Sequence, residues 1–198
     1  MGYTHYWRRG RSTHDAAKFA ELAKVAQKVV DLATGRGIEI GDALGEGKSP
    51  TITDEVISLN GVGRDSHESF VVSLKPDEFD FCKTNQKPYD DVVVAILVLY
   101  KHFFPDIEFS SDGSLGELQA GLELAKEALG CDLVLTKGRT SFEVSIQKDF
   151  VLSGSDLELV KQAISFLKTH VDEASDELDV EIDEAAVDAL EAKLYGEE

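Results

Sequence analysis

Hydrophobic and polar positions fall into a mixed pattern of short alternations and long helical stretches. From Gly2 to Arg9, Tyr3, His5 and Trp7 alternate with Thr4, Tyr6 and Arg8, and this period of two predicts a strand with β-favouring residues on both faces. Ser12 and Thr13 then offer caps for a helix to about Leu32, whose apolar positions Phe19, Leu22, Ala26, Val29 and Val30 keep helical spacing. Gly35 and Gly37 end it, and GDALGEGKSP (41–50) has the composition of a loop.

Two strand-like runs follow, Glu55 to Asn60 and Glu68 to Leu74, joined by GVGRDSH, with a shorter run from Phe79 to Cys82. An antiparallel meander is the simplest arrangement of the three. In KPYDDVVVAILVLYKHFF the valines favour a strand, but the length and the series Val92, Ala95, Ile96, Leu99, Phe103 favour a helix. Its other side (Val93, Leu97, Tyr100, Phe104) is apolar too, so this helix belongs in the interior.

After Pro105 the pattern predicts a strand at Ile107 to Ser110, then a helix from about Leu115 to Leu129 behind a Ser114/Glu117 capping box. CDLVLTKGRTSFEVSIQ reads as a hairpin turning at Gly138. Ser155 and Glu158 repeat the capping box before a helix through Val160, Ile164, Leu167 and Val171, and a last short helix aligns Val187, Leu190 and Leu194. The expected fold class is α+β, a largely antiparallel sheet with packed helices, followed by an acidic helical C-terminal section. The boundary falls between a body at 1–153 and an extension at 154–198. Regular βαβ alternation is missing, which argues against a doubly wound fold.

Charge sharpens that division. The 198 residues carry a formal net charge of -18, with 24 acidic and 17 basic residues up to Ser153, then 14 acidic and 3 basic beyond it. Such a chain repels phosphate backbones at long range, so general nucleic-acid binding is not expected; the one dense basic patch is Arg8, Arg9 and Arg11. Cys82 and Cys131 lack metal-ligand spacing and suggest reduced thiols. With no apolar stretch behind the aromatic, basic start, and a longest apolar run (Val92 to Tyr100) about half of the ~20 residues of a membrane span, a cytoplasmic protein without membrane attachment is expected.

Four places carry candidate chemistry, each with a structural alternative. On the opening strand, Tyr3 or Trp7 would stack on a flat ligand, His5 would orient it or exchange a proton, and Arg8 would grip an anion. Alternatively the aromatics are core and the arginines solvated. In SHESF, His67 and Glu68 at a strand start would point to opposite faces; Val71 at the second-histidine position excludes the zinc-protease arrangement. An ordinary strand edge is the competing explanation.

FCKTNQKPYDD ends a strand and begins the apolar helix, which places Lys83, Thr84, Asn85 and Lys87 near free N–H groups suited to phosphate or carboxylate. Asp90 and Asp91 compete, since they can satisfy the same helix end. In FSSDGSLGE, Asp112 occupies a common location for a functional carboxylate, and Ser-Asp-Gly is also plain turn chemistry. Walker, Ser-His-Asp, kinase and zinc-finger signatures are absent from the sequence.

The words MGYTHYW, ISLNG, SHESF, FCKTNQKPYD and FSSDG resemble a family of small uncharacterised bacterial and phage proteins that begin in the same way. The resemblance covers about residues 1–130 and implies membership without a reaction. These words fall at strand starts and ends, so convergence of His5, His67, Lys83 and Asp112 would make the opening strand an inner strand of the sheet.

The functional expectation is binding of a small anionic ligand, a nucleotide or phosphorylated metabolite. Tyr3, His5, Trp7, Arg8, Lys83 and Lys87 would form the site, with no metal and no assigned cofactor. If a reaction follows, hydrolysis is its class, and His67, Glu68 and Asp112 are the first acid-base candidates. The rival is an acidic interaction protein whose C-terminal section docks on a basic partner or host protein. A third reading, sequestration of a host nucleotide signal, rests on the phage resemblance.

Overall fold

A computed structural model describes residues 3–8, 15–76 and 78–147. The expected helices of section 154–198, and the caps at Ser12 and Thr13, lie outside the described residues. Within them, the fold is α+β with antiparallel sheets.

The main sheet has five strands. β1 (Thr4–Arg8) lies between β6 (Phe79–Lys83) and β7 (Glu108–Ser111), and the hairpin of β8 (Leu133–Lys137) and β9 (Phe142–Ile146) extends it in the order β6-β1-β7-β9-β8. All pairings are antiparallel. A smaller sheet centres on β4 (Val56–Gly61), which pairs with β2 (Ile40–Gly41), β3 (Thr51–Ile52) and β5 (Phe70–Ser73). β2 and β3 flank the segment read as a loop, and two residues are too few to show a period.

The expected meander is only half formed. β5 pairs with β4, but β6 pairs with β1, placing Tyr6 opposite Phe81 and Arg8 opposite Phe79. The chain crosses between sheets after Pro76, where cross-strand aromatic pairing with β1 supplies a partner that β5 does not.

Helix α1 (Ala16–Gly35) starts at Asp15, whose side chain accepts from Lys18 N–H at 2.9 Å, and buries Phe19, Leu22, Ala26, Val29 and Val30. Gly37, at φ +86°, turns the chain out of it. Helix α2 (Asp90–Phe103) is buried along nearly its whole length, as its two apolar sides require. Asp90 and Asp91 stand in its first turn and Lys101 and His102 in its last, matching the helix dipole at both ends. It packs on α1, on α3 (Gln119–Leu129) and on β7 and β9. The Ser114/Glu117 capping box forms, yet regular helix begins only at Gln119. No helix among the described residues is long and apolar enough to cross a membrane.

Candidate functional site

Because β1 runs antiparallel to both neighbours, its first residues lie beside the last residues of β6 and β7. Thr4 pairs with Lys83, and His5 pairs with Cys82 on one side and Ser111 on the other. The loops at 84–89 and 112–118 therefore leave the sheet at the same end. The backbones of His5, Lys83 and Asp112 lie at this end of an inner strand, but the His5 side chain is buried while Asp112 and His67 are exposed, and no hydrogen bond joins the four among the described residues.

The inner side of this end is a buried polar cluster. His5 is fully buried, and its Nε2 donates to Asp90 Oδ1 at 2.8 Å; the Thr84 hydroxyl donates to the same oxygen. Asp90 thus joins β1, the β6–α2 loop and the start of α2. The carboxylates of Asp90 and Asp91 stand in the first turn, at the positive end of the helix, although the N-cap residue Tyr89 makes no side-chain capping hydrogen bond. Burial raises the Asp91 carboxyl above its ordinary value, with the Asp90 charge adding to it.

Tyr3 lies edge-on to His5, ring centroids 5.3 Å apart. Burial, then the charges of Asp90 and Glu117, push its hydroxyl up to about 12. Among the described residues, Tyr3 Oη and His5 Nδ1 have no hydrogen-bond partner. A Cβ on Gly113 would stand 2.2 Å from Tyr3 Oη, so the glycine of Ser-Asp-Gly makes room for a ring as well as a turn. Over this end, Thr84 and Asn85 N–H both donate to Tyr3 O at 3.1 and 3.2 Å, and Asn85 and Gln86 both adopt φ +54°. Two consecutive left-handed residues without glycine cost energy that the surrounding bonds must offset.

The other candidates are tied to backbone. Glu68 Oε2 accepts from Lys83 N–H at 2.8 Å, and Lys87 Nζ donates to Arg64 O at 2.8 Å. His67 is exposed; the buried Asn60 side chain holds its backbone, accepting from its N–H at 3.0 Å and donating to its carbonyl at 3.1 Å. Both His67 and Glu68 precede β5, which starts at Phe70, so the strand alternation expected to separate them does not apply. No hydrogen bond joins His67, Glu68 and Asp112 among the described residues. Burial pushes the Cys82 thiol up to about 12, which makes it a poor nucleophile.

The two faces of β1 differ sharply. Trp7 is 3% exposed and packs edge-on against Phe70, centroids 5.4 Å apart, so with Tyr3 and His5 it forms the inner face. On the outer face, Tyr6 and Phe79 rings are nearly parallel (16°, 6.3 Å), and Phe79 lies 6.2 Å from Phe81. Phe79 and Phe81 remain 42% and 48% exposed. The Arg8 guanidinium sits 4.8 Å above the Phe79 ring. The opening sequence showed aromatics on both faces; Phe79 and Phe81 went unassigned because Phe-Asp-Phe-Cys alternates without a clearly polar side. Their signal was pairing with β1, which only the fold supplies.

Two open hollows of about 420 and 370 Å³ lie at the end of α3, the first lined in part by Glu123, Glu127, Asp132 and Lys126, the second by Asp31, Glu127 and Lys28, so carboxylates outnumber cations in both. Their acidic rims do not suit an anion. Comparison with family models, with curated proteins and with solved structures gives no match.

Proposed function

We propose that this protein binds a small anionic ligand carrying a planar ring, of the nucleotide class, on the outer face of β6 and β1. The observation that carries the reading is a platform on one face, the row of neighbouring rings Tyr6, Phe79 and Phe81, two of them about half exposed, with the Arg8 guanidinium over Phe79. Exposed aromatic surface of this kind is costly to leave in water, and a stacked heterocycle would cover it. Arg8 offers a guanidinium to phosphate and is the first of three arginines in four positions. Relative to the sequence reading, stacking moves from Tyr3 and Trp7 to the opposite face of the strand, while the role of Arg8 stays.

Hydrolysis is not part of the proposal, because His67, Glu68 and Asp112 bond to different partners and not to one another among the described residues. The test is a thermal-shift series with nucleotides, beside mass spectrometry of small molecules released from purified protein by heat. A saturable rise in melting temperature that is lost in Phe79→Ala/Phe81→Ala and weakened in Arg8→Ala is expected. A rise that ignores these substitutions, or no response to any nucleotide and no released ligand, overturns the reading.

A further inference from the structure

Resting on that platform reading, we infer that Asp112 is a specificity-determining residue that selects guanine among the bases. Asp112 is exposed at the end of β7, beside the ring platform and at the opposite end of β1 from Arg8. Its Oδ2 accepts from Thr4 N–H at 3.0 Å and its Oδ1 from the Tyr6 hydroxyl at 3.3 Å, while its own N–H donates to Thr4 O at 3.0 Å. The carboxylate is thereby fixed to the strand end and to one ring of the platform.

A carboxylate has about four lone-pair positions. Two protons are accepted here, one from Thr4 N–H and one from the Tyr6 hydroxyl, whose bond is shared between Oδ1 at 3.3 Å and Oδ2 at 3.5 Å, so about two positions remain for further donors. Thr4 and Arg8 are four residues apart on β1, roughly 13 Å at the rise of a strand. That is room for one nucleotide laid along the strand, phosphate at Arg8 and base edge at Asp112.

The chemistry of the base edges then decides. Guanine presents N1–H and the 2-amino group side by side, two donors that match two acceptor oxygens. Adenine and cytosine present an amino donor next to a ring-nitrogen acceptor, and uracil an N–H between two carbonyls; each sets a lone pair against the carboxylate. A site built to accept paired donors discriminates against an analogue lacking one, since its acceptor is left unpaired.

The test is calorimetric titration of the full chain with guanosine, inosine and adenosine 5′-monophosphates, repeated on Asp112→Asn. The guanosine nucleotide should bind about tenfold to a hundredfold more tightly than the adenosine nucleotide, with inosine between. Asparagine keeps one oxygen for Thr4 N–H, and its ratio of the two affinities should fall close to one. Equal affinities for all three in the wild-type chain overturn the inference while leaving the platform, and that result needs no variant. A guanosine preference that survives Asp112→Asn also overturns it. No binding of any of the three, with Phe79→Ala/Phe81→Ala equally silent, removes the platform reading itself and this inference with it.

Discussion

His5 Nε2 meets Asp90 Oδ1 at 2.8 Å across 85 positions of chain, and through this contact the opening strand is fastened to the first residue of the central helix. Both side chains are nearly removed from water, at 0% and 10% exposure. Asp90→Ala would leave His5 and Thr84 facing each other without an acceptor. The expected loss is about 2–5 kcal/mol in urea denaturation, since two buried donors lose their shared acceptor at about 1–3 kcal/mol each. Thr84→Val, which removes one neutral donor, should cost only about 1 kcal/mol. Equal losses from the two variants would show that Asp90 is not the hub.

The Tyr3 hydroxyl makes the opposite kind of prediction. Buried with no hydrogen bond of good geometry, and only a weak interaction with the Ser111 side chain, it contributes more desolvation cost than bonding, so Tyr3→Phe should leave stability unchanged or raise it. Gly113→Ala drives a methyl against that oxygen and should destabilise by about 1–3 kcal/mol. Combining the two substitutions should recover part of the loss, and a double-mutant cycle measures how much. Strict additivity would mean that the contact is relieved elsewhere.

The two thiols should separate cleanly in alkylation. Cys82 is buried with its pKa near 12, whereas Cys131 is half-buried and unpaired. Iodoacetamide at pH 8 should modify Cys131 in the folded chain and reach Cys82 only after denaturant is added, as peptide mapping would reveal. Comparable native-state labelling of both would contradict the burial of Cys82.

Burial lowers the pKa of His102 from 6.5 in the folded chain. The unfolded chain therefore binds this proton first as pH falls, and stability declines with acidification from about 6.5 down to the folded value. His102→Gln should flatten the pH dependence of the denaturation midpoint in that window. A slope unchanged by the substitution would place its origin elsewhere.

Several elements were legible because one-dimensional period sufficed. Helix α1 shows its buried face in Phe19, Leu22, Ala26 and Val29, and α2 declares its interior position by being apolar on both sides. Helix α3 begins later than its capping box suggests, since Leu115 to Leu118 turn before regular helix starts. For the candidate residues, their place at the strand ends was legible and their contacts were not. Strand ends gathered His5, Lys83 and Asp112 at one end of the sheet, yet Asp90 was read only as a cap, although it is also the shared acceptor of His5 and Thr84.

By itself, the sequence determined the types and order of the longer elements among the described residues, the acidity of the last quarter and the two-sided aromatic character of β1. Tertiary structure decided which side of β1 is wet. Alternation has a period of two and no sign, and a strand with aromatics on both faces carries no polar side to mark the outside. Trp7 and His5 turn inward because α2, held through Asp90, lies on that side. Tyr6 and Arg8 are left outward, where β6 brings Phe79 and Phe81 beside them.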